Sequence, residues 1–230
     1  MIILDTISAP TFRAFRTAEG NEFCYLSEGA GASIVFQHGL GGSIQQAWDL
    51  FGGLNGARLY AMDCRLHGRT KTVDEQDFSV RTLVGDQIQF AQQIIEKPHF
   101  MGGISLGCLL TIKACIELPD LIKGLVLIRP SWPDPGCDVD FARARSEAAQ
   151  VLRPIFNGPF DDLVSHLGDI SMPALIIGMP DDPQHPIGFA EEVASRLPNS
   201  VFKVVPSKSR DPEAYRNSVR RLVNDFVTNR

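Results

Sequence analysis

A serine flanked by glycines stands between an apolar run and a helical run. The pentapeptide GISLG, residues 103–107, follows HFMG, which has the pattern of a buried strand, and leads into LGCLLTIKACIEL, which has that of a helix. Small residues in this setting let the chain turn sharply, so that a serine hydroxyl is presented at the top of a sheet. The amide of Leu106, at the start of the helix, can stabilise an oxyanion. We therefore predict that Ser105 is a nucleophile.

A second glycine-rich turn could complete an anion site beside that serine. HGLGGS, residues 38–43, follows the apolar run SIVFQ and would let the amide of Leu40 approach the same developing negative charge. Amides of Leu40 and Leu106 together would form an oxyanion hole. The alternative is phosphate binding, as in dinucleotide folds, which needs GxGxxG and an acidic residue about twenty positions on. Neither glycine cluster keeps that spacing, so we expect no nucleotide cofactor.

Short apolar runs alternate with longer amphipathic ones along the chain, after a short antiparallel pair predicted at residues 11–17 and 22–27. Strand and helix in strict turn predict an α/β fold, with a mainly parallel central sheet of about seven or eight strands and helices on both faces. The length of 230 residues suits a single domain over residues 1–230. Active sites of such sheets lie at the carboxyl ends of the strands.

One long connection breaks the alternation. About forty residues separate a strand predicted to end near Ile128 from one predicted to begin near Ala174. We interpret residues 130–170 as a small helical lid over the site, the alternative being a long crossover with one extra helix. Trp132, in the proline-rich opening of this segment, is a predicted substrate-binding residue.

The composition excludes several classes of function. A net charge of −5 offers no basic stripe for phosphates, which argues against nucleic acid or an anionic membrane as the main partner and favours a small molecule. No apolar run reaches the roughly 18 residues of a membrane span, and the N-terminus lacks the pattern of a signal peptide, so we expect a cytoplasmic protein. Five scattered cysteines without CxxC spacing argue against a disulfide framework and a zinc site.

These motifs together resemble the α/β-hydrolase fold superfamily, close to its compact esterase, lactonase and C–C bond hydrolase branch. Besides HGLGGS and the MGGISLG turn, DCRLHGRT at residues 63–70 matches a family turn, with Leu66 in a usual glycine position. PALIIGMPDDP at residues 173–183 matches the family's strand and acid loop. The resemblance covers nearly the whole chain and implies a hydrolase without a cofactor.

The resemblance places the acid of a catalytic triad in the loop after Gly178. Counting three residues from Gly178 selects Asp181, whereas the D-P-x-x-P pattern selects Asp182, because this loop has one extra residue. We take Asp181 as the predicted acid and keep Asp182 as the alternative. Asp134, just past the preceding strand, is a third candidate.

The base of the triad is where the sequence departs from the family. Relatives carry a histidine in the loop after the last strand, but the corresponding residues 205–212, VPSKSRDP, contain none. The family's position corresponds to Ser209 or Arg210, and neither can accept a serine proton near neutral pH. His185 shares the predicted acid loop with Asp181, at the edge of the sheet where Ser105 is expected. We therefore list His185 as the candidate base, the alternative being a surface histidine in a long loop.

Three functions remain open from the sequence. The first is a serine hydrolase of a small ester, lactone or related acyl compound, with Ser105 as nucleophile. The second is a ligand-binding or scaffolding protein that has lost turnover, in which Lys208 and Arg210 would bind an anionic ligand. The third is a non-hydrolytic enzyme, for an elimination or isomerisation, that uses the oxyanion hole without an acyl-enzyme.

Overall fold

A mixed sheet of eight strands forms the centre of the described part of the protein. The computed structural model describes residues 10–74, 78–95, 97–131 and 161–229. The strands are β1 (Phe12–Arg16), β2 (Glu22–Gly29), β3 (Ala32–Gln37), β4 (Ala57–Met62), β5 (His99–Ile104), β6 (Ile122–Ile128), β7 (Ala174–Gly178) and β8 (Ser200–Val204). Their order is β1-β2-β4-β3-β5-β6-β7-β8. Strands β1 and β2 are antiparallel to each other, β2 is antiparallel to β4, and every other neighbouring pair is parallel.

Helices cover both faces of this sheet. They are α1 (Ile44–Phe51), α2 (Val80–Phe90), α3 (Leu106–Glu117), α4 (Asp161–His166), α5 (Ile187–Arg196) and α6 (Pro212–Thr228). Buried side chains of α2, α3 and α5 belong to one apolar cluster, and those of α1 and α6 belong to a second. The predicted α/β fold is confirmed, including the antiparallel pair at the start. Helix α1 was not expected from the sequence.

Burial on both faces explains why the central strands are parallel and apolar. Every residue of β5 (HFMGGI) and of β7 (ALIIG) is buried, as strands between two helical layers must be. Because β3, β5, β6 and β7 run in the same direction, the residues that follow their carboxyl ends meet at one edge of the sheet. This edge brings together the residues that were predicted to do chemistry.

Most of the predicted lid lies outside the described residues, and so does Trp132. Of residues 130–170 the structure describes Pro130, Ser131, helix α4, the short 3₁₀ turn Leu167–Asp169 and Ile170. Within the described ranges, no helix combines the length and the apolar character needed to cross a bilayer.

The close approach of α3 to β3 gives a test of the fold. Gly107 lies in the first turn of α3, where an added Cβ would overlap the carbonyl oxygen of Gln37 at the end of β3. We expect Gly107→Ala to lower the free energy of unfolding by about 1–3 kcal/mol, because helix and strand must move apart. Gly85→Ala is the matched control, since a Cβ there meets open space and should stabilise α2 by about 0.5–1 kcal/mol. Urea denaturation measures both, and equal midpoints for the two variants would contradict this packing.

Candidate active site

Ser105 sits at a sharp turn between β5 and α3. Its φ of 54° and ψ of −121° lie in a region that residues other than glycine rarely adopt. The turn is tight because an added Cβ at Gly103 would overlap the backbone of Gly107. The backbone of Ser105 is fixed by hydrogen bonds from its amide to the Ile128 carbonyl (3.2 Å) and from the Cys108 amide to its own carbonyl (2.8 Å). Its hydroxyl does not cap the helix, which leaves it available for another partner.

That partner is the imidazole of His185. Its Nε2 lies 2.8 Å from Ser105 Oγ, and its Nδ1 lies 2.9 Å from Asp182 Oδ2. Asp182 and His185 both lie in the loop between β7 and α5. The His185 amide donates to the Asp182 carbonyl (3.2 Å) and closes a turn there. The Gln184 amide donates to the other carboxylate oxygen of Asp182 (3.2 Å). One short turn therefore delivers a carboxylate and an imidazole, in line, to Ser105.

The two aspartates of this loop have different surroundings, and the structure replaces Asp181 by Asp182 as the candidate acid. The Asp182 side chain is 6% exposed and contacts His185. The Asp181 side chain is 46% exposed and forms an ion pair with Arg210 (2.8 Å). Asp181 has a φ of 59° and therefore lies in the left-handed region of backbone conformation. Asp134 lies outside the described residues.

In the loop after β8, which corresponds to the position of the histidine in the resembling family, the side chains make other contacts. Ser207 Oγ and Ser209 Oγ are hydrogen-bonded to each other (2.9 Å), and Arg210 is engaged with Asp181. The Lys208 amide donates to the sulfur of Met179 (3.3 Å). The loop after β8 thus packs beside the residues that follow β7. His185 belongs to the loop after β7, and it contacts Ser105 from there.

Two other histidines support the turns around the site. His38 is buried, and its Nε2 accepts from the Cys64 amide (3.0 Å) while Nδ1 donates to the Gly39 carbonyl (2.8 Å). His67 Nε2 accepts from the Gly41 amide (3.0 Å). Burial lowers the pKa of His38 to about 4 and also lowers the pKa of His67, so both rings are neutral at neutral pH and act as fixed hydrogen-bonding partners.

The loop of residues 38–43 passes directly beside Ser105. A Cβ added at Gly39 would lie 3.2 Å from the Ile104 carbonyl oxygen and 3.3 Å from Ser105 Cβ, so a larger residue would have to displace its neighbours by a few tenths of an ångström. The amides of Gly39 and Gly41 are used within the protein, by Gln46 Oε1 (2.8 Å) and His67 Nε2 (3.0 Å). Among the described residues no side chain or carbonyl accepts from the Leu40 amide. Leu40 and Leu106, the latter in the first turn of α3 where amides lack helical partners, stay the predicted oxyanion donors.

The segment of residues 63–70 holds the loop of residues 38–43 in place through Asp63. Asp63 is buried and accepts from the amides of Ile44 (2.6 Å) and Arg69 (2.8 Å). It thereby ties the turn to the start of α1, which follows the loop at 38–43. Leu66, which stands in a usual glycine position of the family motif, has a φ of 57°. Leucine therefore adopts here the left-handed conformation for which glycine is normally selected.

Arg129 is a site residue that the sequence analysis missed. It is the first residue after β6, and its Nε lies 2.6 Å from Asp182 Oδ2 while a terminal nitrogen lies 2.8 Å from His185 Nδ1. Burial, and then the charge of Arg129, lower the pKa of His185, and Asp182 opposes this only in part. The imidazole is consequently neutral at neutral pH, the state in which it can accept a proton.

In sequence, residues 32–150 match the family model described as the alpha/beta hydrolase fold. Comparison with curated proteins gives no match. In structure, the chain is similar to a putative lipase from Acinetobacter baumannii AYE, with 15% identity and a TM-score of 0.78 over 96% of this chain and 91% of the other.

Two further solved structures share the fold at similarly low identity. The enol-lactonase from Burkholderia xenovorans LB400 is 17% identical, with a TM-score of 0.75 over 90% of this chain and 97% of the other. The thioesterase domain from the curacin biosynthetic pathway is 14% identical, with a TM-score of 0.75 over 97% and 100%. The TM-scores show that the three proteins share this chain's architecture. At identities this low, the similarity shows the fold alone.

Proposed function

The chain belongs to the α/β-hydrolase fold family, and on that premise we propose that it is a serine hydrolase of a small ester, lactone or related acyl compound. The observation that carries the proposal is the position of His185, with one ring nitrogen 2.8 Å from Ser105 Oγ and the other 2.9 Å from Asp182 Oδ2. Nucleophile, base and acid in hydrogen-bonding order are what acyl transfer by serine requires.

The proposed reaction uses each of these groups in turn. His185 Nε2 takes the proton from Ser105 as Oγ attacks the acyl carbon, and the Leu40 and Leu106 amides stabilise the oxyanion that forms. The imidazolium then gives its proton to the departing oxygen, which leaves an acyl-serine. Water, deprotonated by the same imidazole, attacks the acyl-serine, the bond to Ser105 Oγ breaks as the imidazolium returns the proton to Oγ, and the acid is released. Asp182 holds Nδ1–H and stabilises the imidazolium.

The similar structures support the type of reaction and leave the substrate open. A lipase, a lactonase and a thioesterase are named among them, and all three names describe attack on an acyl carbon. The binding-protein alternative was favoured by the apparent lack of a base, and the contact between His185 and Ser105 removes that argument. Trp132 as a substrate-binding residue stays a prediction.

A fluorophosphonate probe tests the proposal without knowledge of the substrate. We expect the protein to react at neutral pH and the phosphonyl group to be found on Ser105 by peptide mass spectrometry, because only an activated serine attacks phosphorus readily. Ser105→Ala should abolish labelling. Ser209→Ala is the matched control, a serine of the same sheet edge that should leave labelling unchanged.

Absence of labelling in a folded protein would refute the hydrolase proposal and favour binding or non-hydrolytic chemistry. Labelling that persists in Ser105→Ala would assign the nucleophile to another residue.

A further inference from the structure

The Nδ1 atom of His185 faces two groups that make opposite demands on it. Asp182 Oδ2, 2.9 Å away, can only accept a hydrogen bond, whereas the Arg129 terminal nitrogen, 2.8 Å away, can only donate one. A neutral imidazole has one protonated and one bare nitrogen, so Nδ1 can satisfy one of these neighbours and not both. In the Ser-His-Asp triad the carboxylate accepts from this nitrogen and thereby fixes the tautomer.

The choice at Nδ1 decides what Ser105 meets at the other nitrogen. When Nδ1 carries the proton and donates to Asp182, Nε2 is bare and can accept the serine proton. When Nδ1 is bare and accepts from Arg129, Nε2 carries the proton and donates to Ser105 Oγ, and the serine cannot be deprotonated. The two tautomers are therefore a competent and an incompetent form of the same site.

We propose that Arg129 is a positioning residue that competes with Asp182 for His185 and thereby sets the tautomer of the base and the pH above which the site can act. This inference rests on the proposed function, since it assigns a role relative to the base of that reaction. Arg129 touches no reacting atom, and it acts through His185 and Asp182.

The backbone and the burial of Arg129 hold it in this role. Its φ of 51° turns the chain at the end of β6, and its amide donates to the Ile177 carbonyl of β7 (2.7 Å). The Arg129 side chain is 11% exposed, and its Nε is held by the carboxylate of Asp182. Because arginine stays protonated at every relevant pH, its positive charge beside the imidazole is permanent.

The charges around His185 agree in direction with this geometry. The Arg129 charge, and more weakly that of Lys208 from the loop after β8, lower the pKa of the imidazole beyond the effect of burial, while Asp182 raises it. Tyr215 of α6 interacts with Arg129 and Asp182, and Cys108 of α3 interacts with Arg129. Burial raises the pKa of both side chains, so they are uncharged at neutral pH. Removing Arg129 would leave Asp182 as the dominant charge at the ring.

The pH dependence of hydrolysis by Arg129→Met tests this role. With p-nitrophenyl acetate as substrate, we expect the midpoint of the acidic limb of kcat/KM to rise by about one pH unit relative to the parent. Below both midpoints the activity of the variant, relative to its own plateau, should fall about tenfold against that of the parent. Arg129→Lys, which keeps the charge, should restore the midpoint to within a few tenths of a unit.

Arg220→Met is the matched control, because Arg220 is held by the Leu50 and Asp49 carbonyls away from the site, and it should not move the midpoint.

A lower plateau in Arg129→Met with an unchanged midpoint would overturn the inference, since that is the result expected of a residue that only anchors the loop.

A second measurement needs no turnover and separates this inference from the proposed function. Long-range ¹H–¹⁵N correlations of the histidine rings, assigned with His185→Gln, report the tautomer and the titration of His185 directly. In Arg129→Met we expect a larger population with the proton on Nδ1 and a pKa about one unit higher. An unchanged tautomer and an unchanged pKa would overturn the inference even if Ser105 proves to be a nucleophile. The expected shifts without any hydrolysis would uphold it while the proposed function failed.

Discussion

His185→Gln is expected to lower kcat for a simple aryl ester by about 10⁴- to 10⁶-fold relative to the parent protein. Glutamine keeps hydrogen-bonding capacity at this position but cannot take a proton from Ser105 near neutral pH. The oxyanion hole and substrate binding would leave the residual activity. Steady-state hydrolysis of p-nitrophenyl acetate, followed as release of p-nitrophenolate, measures the loss.

His166→Gln is the matched control for this variant. His166, like His185, contacts an aspartate three residues away in the chain, with Nδ1 3.3 Å from Asp169 Oδ2, but this pair lies exposed in and after α4. We expect parental activity and a parental pH profile, in which hydrolysis rises through a midpoint below about 6.5 because the pKa of His185 is lowered. A rate in His185→Gln close to that of the parent would show that another group serves as base.

Asp182→Asn is expected to lower kcat by about 10³- to 10⁴-fold. An uncharged amide no longer stabilises the imidazolium, and its nitrogen can donate to Nδ1 and so favour the tautomer that cannot accept the serine proton. Asp181→Asn, the neighbouring carboxylate, should change kcat by less than about twofold, because Asp181 is half-exposed and paired with Arg210. The same hydrolysis assay compares the two variants.

The relative size of the two losses in kcat distinguishes between Asp181, selected by counting from Gly178, and Asp182, which contacts His185. A large loss in Asp181→Asn together with a small loss in Asp182→Asn would reverse the assignment. Equal large losses would mean that the loop needs both side chains to keep its shape, which circular dichroism and the unfolding midpoint of each variant would reveal.

The sharp turn at Ser105 could be predicted because its causes are local. A sharp turn between a buried strand and a helix requires small residues at fixed spacing, and Gly103 and Gly107 supply them on either side of Ser105. The central strands could be predicted as well, because strands such as β5 and β7 are buried on both faces and carry almost only apolar residues. The meeting of the loops at one edge followed from the parallel order of the strands.

The positions of Asp182 and Arg129 against His185 could not be predicted because they depend on backbone conformation and on contacts between distant segments. Asp181 and Asp182 are neighbours of the same type, and nothing in the sequence shows that Asp181 takes a positive φ while Asp182 turns to His185. Arg129 lies 53 residues before Asp182 in the chain, and no local pattern marks it. The one available signal was its place directly after a central strand, at the same edge as Ser105.

The crystal structure of the protein after reaction with a fluorophosphonate tests the central claim, that Ser105 is activated by a histidine from the loop after β7. We predict phosphorus bonded to Ser105 Oγ, a phosphonyl oxygen within hydrogen-bonding distance of the Leu40 and Leu106 amides, and His185 between the adduct and Asp182. Phosphorus on another side chain, or an adduct on Ser105 with His185 turned away and a different base beside it, would contradict the claim.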